Sequence, residues 1–240
     1  MGFIKYLANR FYNSTNYAIE GILHAAKTQA HIRFHLIATM FLLIFCFAFG
    51  IRQEEFIILS IVASIVIVAE MINSAIEETV DIASPFISDK AKAAKDVAAG
   101  AVLIAAAMSL VVAFYVIIPY IRYFYYNGLQ IAKHTGGDVT IFSMIVVMIL
   151  VIIIKAYFGH GHPLKGGLPS GHTSLAFSIW ASLSIMFPNK WVIGIILIFA
   201  VAVGISRVVM KIHTVIEVVA GLMLGSCVTY LCFRFFYVRF

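Results

Sequence analysis

The chain alternates apolar runs with short polar segments, and seven of these runs approach the length of a membrane-spanning helix. The seven runs lie at about 34–51, 56–80, 97–121, 139–157, 172–187, 191–208 and 211–233. A helix needs about 20 residues to cross a bilayer, so polar residues must extend several of the later runs. The pattern predicts seven transmembrane helices, three before the polar segment 126–138 and four after it.

Residues 1–30 show a different pattern, because their apolar side chains recur at helical spacing instead of forming a continuous block. The recurring positions are Phe3, Ile4, Leu7, Phe11, Ile19, Ile22, Leu23 and Ala26. Such a segment is typical of an amphipathic helix that lies in the membrane interface. The predicted fold class is therefore an all-α integral membrane protein, with one N-terminal surface helix and seven transmembrane helices.

Composition agrees with a membrane protein. Of the 240 residues, 62% are hydrophobic and 12% are charged, whereas soluble domains average about 45–50% apolar and 25% charged residues. The net charge of +6 is explained by cytoplasmic loops and anionic lipid. We expect no nucleic-acid partner. With the N-terminus in the cytoplasm, eleven Lys and Arg residues lie inside and six outside, as the positive-inside rule favours.

The second apolar run carries acids in its far half, 69-AEMINSAIEETVD-81. Glu70, Asn73 and Glu77 share one helix face, and Asp81 continues it. A carboxylate in lipid costs about 2.5 kcal/mol or more, so it needs a partner or a task. With the basic segment 90-KAKAAKD-96 nearby, the cluster suits a magnesium–nucleotide site. The alternative is a polar contact between helices or an ion path.

Three pieces of this first half, 21-GILHAAKTQAHIRFHL-36, 69-AEMINSAIEETVD-81 and 95-KDVAAGAVL-103, resemble the small prokaryotic diacylglycerol kinases, which include undecaprenol kinases. The resemblance covers residues 1–122. It implies a homotrimer of three-span subunits that phosphorylates a lipid alcohol with ATP and Mg²⁺. It implies Glu70 as the base that deprotonates the lipid hydroxyl and Glu77 as a Mg²⁺ ligand. The implied nucleotide-binding residues are Arg10, Tyr17, Asn73, Glu77, Lys95 and Asp96.

One departure weakens the expected metal site. Many relatives have Glu where this chain has Gln29, and that Glu is the second metal ligand. A neutral amide oxygen is a poorer Mg²⁺ ligand than a carboxylate, so metal affinity should fall. The kinase-like half is therefore either active with weaker metal binding or an inactive trimeric scaffold.

Three polar clusters mark the second half: 155-KAYFGHGHP-163, 169-PSGH-172, and 206-SR-207 with 213-HTVIE-217. The topology places all three on one side of the membrane. Pro169 and Gly171 bend the chain so that backbone N–H groups and Ser170 can bind an anion near a helix start. Lys155 and Arg207 supply positive charge for phosphate oxygens.

Two histidines supply the chemistry that this phosphate site needs. His213 and Glu217 are four residues apart, so the carboxylate can accept Nδ1–H and leave Nε2 free to attack phosphorus. His172 can protonate the leaving alkoxide and then activate water. The alternative is a zinc site built from His160, His162, His172 and His213, although no acid or Cys completes a familiar ligand spacing.

The three clusters resemble the type-2 phosphatidic acid phosphatases, whose pattern is K-x6-R-P, P-S-G-H and S-R-x5-H-x3-D. The order and internal spacings agree over about residues 139–233. The resemblance implies His213 as nucleophile and His172 as general acid, with no metal. The implied phosphate-binding residues are Lys155, His162, Ser170, Gly171 and Arg207. His162 stands where the family has Arg, so activity should decline above neutral pH, and Glu217 stands where the family has Asp.

Together these patterns predict a kinase-like domain at 1–125, a linker at 126–138 and a phosphatase-like domain at 139–240. The predicted protein is a bifunctional lipid kinase and lipid-phosphate phosphatase of the bacterial inner membrane. Parity of the spans puts both sites on the cytoplasmic face. The alternatives are a phosphatase with an inactive kinase-like half, and a non-enzymatic ion pathway or scaffold.

Overall fold

The computed structural model describes residues 2–84, 88–128, 130–158 and 167–238, with side chains in the first helix described at residues 6 and 10 and from 14 onward. All regular structure in this part of the chain is helical, as the apolar pattern predicts, and it forms eight helices. The helices are α1 (Gly2–Thr28), α2 (Ala30–Ala48), α3 (Gln53–Ala83), α4 (Asp89–Asn127), α5 (Gly136–Tyr157), α6 (Gly171–Met186), α7 (Lys190–Val209) and α8 (Val215–Phe236).

Six of these helices, α2–α5, α7 and α8, are long and apolar enough to cross a membrane. The predicted fifth span is the exception, because α6 has only 16 residues. The predicted third span is longer than its apolar run: α4 has 39 residues and includes the basic segment that precedes the run. The chain is therefore a multi-pass membrane protein.

Side chains at the helix starts explain several of the boundaries. Ser88, Thr135 and Asn189 each accept a hydrogen bond from a backbone N–H in the first turn of α4, α5 and α7. Such caps bond N–H groups that have no partner within the helix. Thr214 begins α8 with a capping box, in which its side chain and that of Glu217 bond each other's backbone N–H.

The helices form two compact units, and the chain passes between them twice. One unit contains residues 1–28 and 133–240, and the other contains residues 29–132. The second unit therefore holds α2, α3 and α4, while α1 belongs with α5–α8. The sequence grouped residues 1–28 with the kinase-like domain, so the packing of α1 differs from the predicted domain organisation.

In the three-helix unit, α3 packs along α4 and α2 packs on α3. A small core at one end is centred on Cys46, Ile51 and Leu59. At the same end, Tyr120 donates a hydrogen bond to Glu55, which also forms an ion pair with Arg52. These contacts hold the start of α3 against the second half of α4. The acidic segment 69–81 lies in the second half of α3, away from these contacts.

In the other unit, α6 and α8 form the most intimate helix pair because small residues line their interface. Ser170, Ser174, Ser178 and Ser182 are fully buried at four-residue intervals from the start of α6. On α8, a Cβ added at Gly221 would meet the Ser170 carbonyl oxygen at 2.6 Å. About two turns further along, the Ser178 and Thr229 hydroxyls form a hydrogen bond of 2.7 Å. Small residues at this spacing allow two helix backbones to approach closely.

Candidate active site

Four helix ends meet around one cavity in the unit that contains α5–α8. The cavity has a volume of about 530 Å³. Its polar lining includes residues from the end of α5, the start of α6, the end of α7 and the turn before α8: Lys155, His172, Arg207 and His213. Gly171 also lines the cavity. The structure thus brings together five of the residues that the sequence assigned to phosphate chemistry.

His213 and Glu217 form the predicted pair. His213 Nδ1 lies 2.7 Å from Glu217 Oε2, and the histidine side chain is only 3% exposed. Because an ionised carboxylate can only accept, Nδ1 carries the hydrogen in this bond and Nε2 keeps its lone pair. His213 lies one residue before the cap Thr214 rather than on the helix itself, and its own N–H donates to the Arg207 carbonyl oxygen.

The local environment favours the neutral form of the His213 imidazole. Burial lowers the pKa of His213 below its ordinary value, and the positive charges of Lys155 and Arg207 act in the same direction. The hydrogen bond to Glu217 opposes them by raising the pKa. A neutral imidazole with a free Nε2 is the form that can attack phosphorus.

Glu217 also holds the segment that leads into α6. Its Oε1 accepts a hydrogen bond of 2.8 Å from the Gly167 N–H, while Oε2 also accepts one from the Thr214 N–H. Its backbone oxygen accepts one from the Ser170 N–H at 2.9 Å. One residue therefore orients His213 and ties the 167–170 segment, with its cis Leu168–Pro169 peptide, to the start of α8.

Ser170 is placed differently from the other predicted phosphate-binding residues. It precedes the first residue of α6 and is fully buried. Its hydroxyl accepts a hydrogen bond from Thr173, and it does not line the cavity. Ser170 thus shapes the start of α6, while Gly171 and His172 present themselves to the cavity.

Two cations lie at the cavity without an acid bound to them among the described residues. Lys155 is buried, with 8% of its surface exposed. Arg207 Nε is buried and makes no hydrogen bond within the described part of the chain. A buried, unbonded guanidinium N–H is costly unless an anion binds it. The two cations therefore fit a phosphate group beside His213.

His162 lies outside the described residues, as do His160 and Pro163. The predicted role of His162 in phosphate binding therefore stays a prediction. Within the described ranges, no three His, Cys, Asp or Glu residues are grouped as metal ligands.

The second predicted site lies on α3 in the other unit. Glu70, Asn73 and Ser74 are buried, and the Asn73 amide donates to Glu77 Oε1 at 3.0 Å. Lys95 near the start of α4 forms an ion pair with Asp81. The Asn73 side-chain oxygen is buried without a hydrogen bond in the described part of the chain. This free oxygen beside the Glu77 carboxylate suits a hard cation that also binds nucleotide phosphates.

The remaining predicted kinase residues are dispersed. Gln29 immediately precedes α2 and makes no side-chain cap, and Asp96 is exposed on α4. Arg10 and Tyr17 lie on α1 in the other unit, where Tyr17 lines the phosphate cavity. The structure therefore groups Asn73 with Glu77 and Lys95 with Asp81, but leaves Arg10 and Tyr17 in the unit that contains the phosphate cavity.

Sequence reasoning missed two contributions. His35 Nε2 lies 3.5 Å from Glu70 Oε1, and His35 stands inside the quoted segment 21–36 without having been assigned a role. Asn16 and Glu20 of α1 line the phosphate cavity, and no spacing in the sequence indicates that contact. By contrast, the close α6–α8 approach has a readable signal in 221-GLMLG-225.

Comparison with known proteins places the first half. The family model of prokaryotic diacylglycerol kinases matches residues 16–117. An undecaprenol kinase of Bacillus subtilis is 35% identical over 111 residues, which are 46% of this chain and 90% of that protein. The chain belongs to the prokaryotic diacylglycerol kinase family. A diacylglycerol kinase of Synechocystis is 30% identical over 107 residues, or 44% of this chain and 61% of that protein.

A different family model matches the second half of the chain. The model of the PAP2 superfamily matches residues 155–240, which begin at Lys155 and include the whole His213–Glu217 pair. The chain is thus a fusion of a prokaryotic diacylglycerol kinase domain with a PAP2 domain. No solved structure matches the chain. The two family matches support a membrane lipid kinase and a phosphatase in one polypeptide.

Proposed function

We propose that the PAP2 domain removes phosphate from a membrane lipid through a phosphohistidine, and that the kinase domain phosphorylates a lipid alcohol with Mg-ATP. The observation that carries the proposal is the cavity in which Lys155, Arg207 and His172 surround His213, while Glu217 bonds its Nδ1. The apolar part of the same cavity, which includes Met148, suits a lipid chain.

In the first step, His213 Nε2 attacks phosphorus and the bond between phosphorus and the lipid oxygen breaks. Protonated His172 gives its proton to the leaving oxygen, so the lipid departs as an alcohol. Lys155 and Arg207 stabilise the phosphoryl oxygens. Glu217 stabilises the positive charge that the imidazole gains.

In the second step, a water molecule attacks the phosphorus of phospho-His213. Neutral His172 takes a proton from the water, the phosphorus–nitrogen bond breaks, and inorganic phosphate is released. His213 regains its lone pair and its hydrogen bond to Glu217. The net reaction consumes one water and gives one lipid alcohol and one phosphate.

In the kinase domain, Glu70 is proposed to accept the proton of the lipid hydroxyl, and His35 at 3.5 Å positions its carboxylate. Glu77 and the free Asn73 oxygen would hold Mg²⁺, which supplies charge neutralisation for the nucleotide phosphates when bound. Gln29 replaces the second carboxylate, so a higher Mg²⁺ concentration should be needed. The family resemblance supports a homotrimer. The distribution of Lys and Arg supports a cytoplasmic position for both sites.

Two assays on purified protein in detergent test the two activities separately. Release of phosphate from lipid phosphates should be inhibited by vanadate and lost in His172→Ala, while Glu70→Gln retains it. Phosphorylation of diacylglycerol or undecaprenol by Mg-ATP should be lost in Glu70→Gln and retained in His172→Ala. Absence of vanadate-sensitive release would favour an ion pathway or scaffold.

Gln29 favours one alternative, in which the kinase domain is an inactive scaffold. Gln29→Glu decides between the two because it restores the missing carboxylate. If the kinase is active, this variant should reach half-maximal rate at a lower Mg²⁺ concentration than the wild type. If neither protein phosphorylates either lipid, the scaffold alternative is correct.

A further inference from the structure

One wall of the phosphate cavity comes from outside the PAP2 domain. The PAP2 match begins at Lys155, yet α1 residues Asn16, Tyr17 and Glu20 line the cavity together with the catalytic histidines. The helix that supplies this wall precedes the whole three-helix unit in the chain.

The wall is firmly attached to the rest of its unit. Leu23 and Ala26, which follow Glu20 by one and nearly two helical turns, are 3% and 0% exposed, and α1 packs on α5. On α5, Val151 and Lys155 line the cavity from positions one turn apart. Glu20 is therefore presented to the cavity from a packed helix rather than from a free surface segment.

Glu20 changes the charge of the cavity. Glu20 is the one acidic side chain among the described residues that line the cavity. Its carboxylate forms no ion pair among the residues that the structure describes. Lys155 and Arg207 suit one phosphate group beside His213, but a second phosphate on the same substrate would enter the field of the Glu20 carboxylate. Like charges brought together in a binding site repel each other, which makes such a group an effective element of specificity.

We propose that Glu20 makes the phosphatase cavity selective for lipid monophosphates over lipid diphosphates. The proposal rests on the function proposed above and names the substrate class of that site. Asn16, whose amide both donates and accepts hydrogen bonds, can contact uncharged polar groups beside the phosphate. The helix that begins the kinase-family half thereby determines the substrate of the PAP2 half.

The test compares hydrolysis of two probes, dioctanoyl phosphatidic acid and farnesyl diphosphate, by full-length protein in one detergent. Wild type should have the higher kcat/KM for the monophosphate. Glu20→Gln should raise the ratio of diphosphate to monophosphate kcat/KM about tenfold or more, because the repulsion is removed. Glu20→Asp keeps the charge and should preserve the wild-type preference. Glu54→Gln, which removes a carboxylate from the other unit, should leave the ratio unchanged.

A ratio is measured on one preparation with both probes, so partial misfolding of a variant does not alter it. Hydrolysis of both probes with equal ratios in wild type, Glu20→Gln and Glu20→Asp would overturn the role of Glu20 and leave the phosphatase intact. Hydrolysis of neither probe by wild type would instead overturn the proposed function, and the inference with it.

Discussion

At the residue scale, the Glu217 carboxylate does more than orient a histidine. It accepts hydrogen bonds from His213, Thr214 and Gly167 through both oxygens. The segment before α6 and the turn before α8 are thereby held to one side chain. A longer side chain than the Asp of the family pattern reaches both elements, which explains how Glu serves at this position.

Glu217→Gln tests the orienting role. An amide oxygen still accepts from backbone N–H groups, but the neutral side chain no longer stabilises a positive imidazole or selects the Nδ1–H tautomer. We expect kcat for lipid-phosphate hydrolysis to fall roughly 10²- to 10⁴-fold, with little change in thermal stability. Glu217→Asp, the family residue, should retain far more activity. Full activity of Glu217→Gln would contradict the assignment of the pair.

The protonation of His213 gives a second prediction. Because burial lowers its pKa, His213 should lose its proton below the ordinary value of about 6.5 and be neutral at pH 7. Glu217→Gln removes the carboxylate charge and weakens the hydrogen bond, both of which raise the pKa of His213, so the midpoint should move lower still. NMR titration of ring-labelled histidine, with His213 assigned by its absence in His213→Ala, measures both midpoints. A wild-type midpoint at or above 6.5 would show that burial does not govern the site.

The residues of this site were largely predictable, since Lys155, His172, Arg207, His213 and Glu217 follow a spacing pattern that carries its own chemistry. The burial of Ser170 was not, because the same short polar side chain can bind phosphate or cap a helix. In the structure the Ser170 side chain makes no capping hydrogen bond; it is buried where α6 packs on α8 and accepts a hydrogen bond from Thr173.

At the element scale, the packing of α6 against α8 positions the catalytic groups. Gly221 and Gly225 face Ser170, Ser174 and Ser178, and a Cβ at Gly225 would overlap the Ser174 backbone oxygen. A backbone atom cannot move aside like a flexible side chain, so the helices themselves would have to separate. Separation would carry His172 away from His213.

Gly225→Ala is therefore expected to reduce lipid-phosphate hydrolysis strongly and to destabilise the protein by about 1–3 kcal/mol. Gly194→Ala is the matched control, because the added Cβ on α7 meets no atom within 4 Å. Thermal unfolding and kcat/KM of both variants measure the effect. Equal behaviour of the two variants would show that close α6–α8 contact is not required.

Hydrophobic patterning predicted the helices well, since long apolar runs leave few alternatives to a spanning helix. It predicted that α1 is amphipathic but not which element covers its apolar face, and Leu23 and Ala26 are buried within the unit that contains α5–α8. An amphipathic pattern indicates that the apolar face is covered, but the pattern is the same whether lipid or protein covers it. The charged start of α4 was missed because the apolar run alone defined the prediction.

At the scale of the whole molecule, two opposed reactions share one chain. If both sites face the cytoplasm and accept the same lipid, their combined effect is ATP hydrolysis without change in the lipid. The proposed preference for monophosphates does not prevent this cycle, because a lipid alcohol phosphorylated by ATP is itself a lipid monophosphate. Different lipids for the two sites, or separate regulation of the two activities, would avoid it.

Cysteine labelling tests the common face. In a chain lacking Cys46, Cys227 and Cys232, single cysteines replacing Lys92 and Lys165 should both react with an impermeant maleimide only when the cytoplasmic side is open. Arg52→Cys should react from the opposite side. Labelling of position 165 from outside, with position 92 inside, would contradict the predicted topology.

The most direct test of the central claim is detection of phosphate on His213. A ³²P-labelled aryl phosphate has a leaving group that departs without an acid, so His172→Ala should form the phosphoenzyme and hydrolyse it slowly. After rapid quenching, we predict acid-labile label on His213 in this variant, a smaller amount in wild type, and none in the His172→Ala, His213→Ala double variant. Undiminished label in the double variant, or wild-type turnover in His213→Ala, would contradict the account.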